Sequence, residues 1–116
     1  MVSQVMRMNL ARSEEPRAFA RFSDDQRRAR LTFVMENGAR RTLPYFQLKD
    51  VEWDPDLAAI ILTFLDRRVT IYGRNLLELC GALEEDDVGL IEEKHVREHN
   101  LSEGECFVER LAFEQV

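Results

Sequence analysis

His95 and His99 stand four residues apart, the spacing in this sequence closest to a metal site. On a helix that spacing puts both imidazoles on one face, and Glu92, Glu98 or Cys106 could complete a zinc set. On an extended strand, with a rise of ~3.3 Å per residue, the two rings stand roughly 13 Å apart and cannot share an ion. There is no H-E-x-x-H order and no firm third ligand, so the reading is two solvated histidines near a turn and no metal. Cys106 with either histidine has the ingredients of a thiol–imidazole pair. Its neighbours Phe107 and Val108 argue instead for an inert buried thiol. Cys80 and Cys106 lie 26 positions apart with no C-x-x-C spacing, so no disulfide is expected. Ser3, Ser13, Ser23 and Ser102 lack the G-x-S-x-G setting of a nucleophile elbow. The acid pairs Asp24-Asp25, Glu84-Glu85 and Glu92-Glu93 read as solvated surface, and the five glycines form no phosphate loop. No catalytic residue and no cofactor is expected, and the chain does not read as an enzyme.

Arginine is the other residue type that could carry chemistry. Arg27-Arg28, Arg40-Arg41 and Arg67-Arg68 form three pairs. If their loops cluster, they offer planar donors suited to phosphate or carboxylate. Phe19, Phe22, Tyr45 and Tyr72 could add stacking surfaces for single-stranded bases. The charge is unevenly spread. Residues 1–41 hold nine arginines against five acids, net +4, while residues 42–116 are net −10. A cationic arm beside an acidic body suits a second copy of the chain, a nucleic acid, or its own body. The whole chain has net charge −6, which weighs against a dedicated nucleic-acid domain and favours association between copies.

With 116 residues, 45% hydrophobic and 33% charged, the chain suits one domain with a real core. No apolar run approaches the ~20 residues of a membrane span, and MVSQVMRMNLARSEEPR has no long apolar stretch of a signal peptide. A cytoplasmic location without membrane contact is the expectation.

The elements that must position these side chains are mostly strands. Residues 1–28 read as an Arg-rich arm, broken at Glu14-Glu15-Pro16, with Ser23 a candidate helix cap. Residues 29–116 read as one β-rich domain. Leu31–Glu36 alternates, and Asn37-Gly38 after it is a strong hairpin signal, since both residues accept positive φ. The next strand spans roughly 41–53. Pro44 puts its start at an edge or bulge. Phe46 and Leu48 share one parity and Val51 and Trp53 the other, so a bulge or sharp bend is expected near Lys49-Asp50. After the Asp54-Pro55-Asp56 turn, residues 58–65 and 69–73 form a central hairpin whose first strand reads as covered on both faces. A helix is expected over 75–83, capped by Asn75, with Gly81 letting it sit close to the sheet and Glu84–Asp87 ending it. Residues 88–93 and 105–114 read as strands, with a turn between them.

The fold class is therefore mainly β: a small bent antiparallel sheet or partly open barrel of five to six strands with one short helix. The alternative is an open α+β sheet with a second helix at 86–99. The glycine turn at Asn37-Gly38, the long bent strand 41–53, the strands 58–65 and 69–73, the helical turn and strand 88–93 resemble the Sm-like RNA-binding barrels over about 60 residues. The likeness is architectural. Sm-like domains put a helix first and carry a second glycine with an Asp/Asn recognition pair, whereas LPYFQLKDVEWD lacks both, so no recognition residue carries over. The resemblance implies single-stranded RNA or nucleotide binding as the alternative function. The main expectation is a non-catalytic interaction module that self-associates through strand edges or its Arg-rich arm.

Overall fold

The chain turns a corner at Tyr45–Gln47, and the architecture follows from it. A computed structural model describes residues 18–22, 30–94 and 104–116. Strands β1 (Phe19–Arg21), β2 (Arg30–Val34) and β3 (Arg40–Pro44) precede a 3-10 turn at Tyr45–Gln47. Strands β4 (Leu48–Asp54), β5 (Ala59–Phe64) and β6 (Arg67–Arg74) follow, then the helix α1 (Leu77–Glu84), β7 (Val88–Glu92) and β8 (Phe107–Gln115). One four-stranded sheet has the order β1-β7-β2-β3 and the other β4-β5-β6-β8. The expected long strand 41–53 is thus two strands, each at the edge of a different sheet. Pro44 closes β3 because it has no N–H to extend the ladder, and the register slips between Leu48 and Asp50. The parity conflict in the sequence is resolved by switching sheets.

The protein is mainly β with one helix among the described residues, and the sheets do not close into a barrel. The described residues form eight strands where five to six are expected, because the bent strand divides and Phe19–Arg21 adds to β7. All neighbouring strands are antiparallel except β2 and β7, which run parallel. Val88–Glu92 is extended, so the second helix at 86–99 does not form over those residues.

The two inner faces and the helix share one core. Leu31, Phe33 and Leu43 come from the first sheet, Ile60, Leu62, Phe64, Val69 and Ile71 from the second, and Leu76, Leu79 and Leu83 from the helix region. The central hairpin is where the sequence puts it, but only one face of β5 is fully covered. Ile60, Leu62 and Phe64 are buried, Ile61 and Thr63 half-buried, and Leu65 is 61% exposed. A four-stranded sheet packed on one side leaves its other face outward, and the apolar run in β5 hides that asymmetry.

Local chemistry differs from expectation at several points. The Asn37-Gly38 loop is a three-residue connection with only Gly38 at positive φ (95°). Gly38 N–H donates to the Met35 carbonyl, and Ala39 N–H to the Asn37 side chain. Asn75 does not cap the helix. It takes φ 52° and its amide donates to the Glu105 carbonyl at 2.9 Å, while Leu76 occupies the cap position. The helix ends with Asp86 in the left-handed region, where Asp86 N–H donates to the Leu83 carbonyl and Asp87 N–H to that of Ala82; this is a Schellman closure with Asp in the glycine position. Glu93, read as solvated surface, is structural, and so is Asp87 at the end of the helix. Asp87 accepts from Arg21 at 2.7 Å. Glu93 accepts from the Glu36 and Leu111 N–H groups, both at 2.9 Å, and so ties the end of β2 to β8.

Candidate functional site

The two sheets gape at one end, and two of the three arginine pairs send a member there. The β2–β3 register sets Arg41 opposite Phe33, on the inner face of the first sheet. The β6–β8 register sets Phe113 opposite Val69 and Gln115 opposite Arg67, on the inner face of the second. Phe33 and Phe113 meet edge to face with centroids 5.4 Å apart. The Arg41 guanidinium lies 4.5 Å above the Phe113 ring, a cation–π contact that holds its plane in place. Arg41, Arg67, Phe113, Glu114 and Gln115 surround a cavity of about 250 Å³. Arg67 donates from Nε to Asp66 at 3.3 Å, which orients the guanidinium and leaves its other donors for a ligand.

The remaining arginines lie elsewhere. Arg40 shares the outward parity of β3 with Thr42, whose hydroxyl meets that of Thr32 at 3.0 Å. Arg68 lies on the outer face of the second sheet, across from Thr63 and Glu114. Arg27 and Arg28 fall outside the described residues, as do His95 and His99. No group of three or more metal-ligating side chains occurs among the described residues.

Two of the four candidate stacking rings, Phe19 and Tyr45, are buried, and the other two are half-buried. Phe19 is in the core. Tyr45 is buried and donates its hydroxyl to the Val88 carbonyl at 2.7 Å; burial pushes that hydroxyl well above the usual tyrosine range, against the pull of the bond to Val88. Phe22 is half-buried, 6.2 Å from the Tyr45 ring and hard against Gly89. Tyr72 is also half-buried but lies on the outer face of the second sheet, with the Arg110 guanidinium 4.0 Å over its ring. Both cysteines are free. Burial, with Glu78 and Glu105 adding to it, pushes the Cys106 thiol up to about 11, so it is not a nucleophile near neutral pH.

Two surface features escaped the sequence reading. Phe113 pairs by parity with core residues, and only the three-dimensional meeting with Arg41 makes it a wall of the mouth. Phe46 shares the parity of Leu48 in the sequence, yet it sits on the corner and is 85% exposed. The paired edges around it could have been suspected from Pro44 alone. Comparison with known proteins finds no family model that matches this chain, and no curated protein or solved structure that matches it significantly.

Proposed function

We propose that this chain is a non-catalytic interaction module that associates with copies of itself, edge strand to edge strand. The observation that supports it is the opposite charge of the two edges that flank the Tyr45–Gln47 corner. Among the described residues β3 and β4 are both edge strands; β3 carries Arg40 and Arg41, while β4 carries Asp50, Glu52 and Asp54 against Lys49. Asp50 and Glu52 share the outward parity of β4, opposite Thr63 and Ile61. Pairing β4 with the β4 of another copy would set acid against acid, which disfavours it. Pairing β3 of one copy with β4 of the next sets Arg40 among carboxylates and satisfies unpaired backbone groups on both. Phe46, exposed between the two edges, would be covered by the same contact. Such a joint is head-to-tail, so it builds a ring or an open chain.

Charge-swap mixing tests this. Arg40→Glu alone and the Asp50→Lys/Glu52→Lys double variant should each sediment as monomer. Their mixture, where a cationic edge again meets an acidic one, should associate. Association of each variant by itself, or none in the mixture, would refute the reading.

A second reading, single-stranded RNA binding, is favoured by the surface stack of Arg110 on Tyr72 with Arg68 on the same sheet face. Titration with labelled poly-U at low and moderate salt decides it. Binding must weaken steeply with salt, and no binding at low salt removes it.

A further inference from the structure

We infer that the mouth between the sheets binds a small phosphate ester that carries hydroxyl groups, a sugar phosphate or a nucleoside monophosphate. The inference does not rest on edge association. A chain that stays monomeric can bind such an ester, and one that associates can refuse it.

The size of the cavity comes first. At about 250 Å³ it falls just below the ~300–1,000 Å³ of pockets that hold drug-sized ligands. One sugar ring with its phosphate is of the right order; a polymer or a large cofactor is not. The lining then selects the chemistry. Arg41 and Arg67 converge from different sheets, and guanidinium groups pair with phosphate oxygens through fixed planar donors. Both are held before any ligand arrives, Arg41 by the Phe113 ring and Arg67 by Asp66, which lowers the ordering cost of binding.

Gln115, on the inner parity of β8, completes the polar side chains of the lining; Glu114 borders the mouth, but its side chain has the outer parity with Arg68. Gln115 can donate or accept. A ligand with an anion for the two guanidinium groups and a hydroxyl for Gln115 satisfies all three polar side chains of the inner faces at once. Phe113 has one face taken by Arg41, so the outer face of that guanidinium is the flat surface left for a base.

Titration calorimetry of the full chain at low salt, with ribose 5-phosphate, UMP and inorganic phosphate as probes, tests the inference. Ribose 5-phosphate should bind at least about tenfold more tightly than inorganic phosphate. UMP binding more tightly still supports the nucleotide source, and equal binding supports the sugar phosphate. Arg67→Gln should weaken both esters about tenfold or more. Gln115→Leu should weaken the esters and leave inorganic phosphate binding unchanged, a split that a general loss of structure cannot produce. Inorganic phosphate binding as well as the esters, or no ester binding at millimolar concentration, would overturn the inference. The comparison of ligands on the unaltered chain stands even if Arg67→Gln does not fold.

Discussion

Gly73 shows how much a single atom matters in this chain. The ladder between β6 and β8 slips between Tyr72 and Gly73. A Cβ added at Gly73 would lie 1.9 Å from the Phe107 carbonyl oxygen. That neighbour is backbone and cannot swing aside. Gly73→Ala should therefore cost about 1–3 kcal/mol or more, read as a lowered midpoint in urea denaturation. Gly81 is the opposite case. The sequence suggests that it lets the helix approach the sheet, yet a Cβ there meets nothing within 4 Å. Gly81→Ala should raise stability by up to ~1 kcal/mol, the helix-propensity difference, measured the same way. Cys106 makes a pH prediction. Its thiol is held protonated by burial, up to about 11, above its range in the unfolded chain. The folded state then binds the proton more tightly than the unfolded state does. This contribution is intact below the ordinary thiol range and is lost as pH rises from there to about 11. Alkylation at pH 7.5 should be slow at Cys106 and should accelerate through that window. Fast labelling at neutral pH would contradict the burial.

The elements separate what the sequence could reveal from what it could not. The β5–β6 hairpin was legible because its apolar run and the Asp66-Arg67-Arg68 interruption are local. Only its outer face was misjudged. Leu62 is fully buried and Ile61 half-buried. Leu62→Asp should unfold the domain, whereas Ile61→Asp should leave a cooperative melt at a lower temperature. Equal loss in both would mean that the outer face is covered after all. The bend near Lys49-Asp50 was also legible, because parity conflict is a property of the strand alone. What the conflict could not reveal was that the chain leaves one sheet for another, since that depends on partners far along the sequence. The parallel β2–β7 pair and the placement of β1 beside β7 are of the same kind. Asn75 failed as a cap because a carbonyl from Glu105, thirty residues away, competes for its side chain. The arginine pairs were visible as candidates. That Arg41 and Arg67 would face one cavity, while Arg40 and Arg68 turn outward, follows from register and strand parity in two separate sheets.

At the scale of the whole molecule, the uneven spread of charge along the sequence becomes an arrangement in space. The cationic β3 and the acidic β4 adjoin one corner, and both are edges among the described strands. Edges left open invite pairing, and charge decides which pairing is allowed. The mouth with Arg41 and Arg67 lies on the inner faces, so ligand binding and edge contact draw on different atoms even though Arg41 belongs to β3. Salt separates the joint from a hydrophobic one. Charged contacts at the surface weaken as the screening length shortens from about 10 Å at 0.1 M to about 3 Å at 1 M salt. The most direct measurement is sedimentation equilibrium of the full chain across concentration and salt. Edge-to-edge association gives a weight-average mass that rises above 13.6 kDa with concentration at low salt and falls back at high salt. A mass of 13.6 kDa at every concentration and every salt would contradict it.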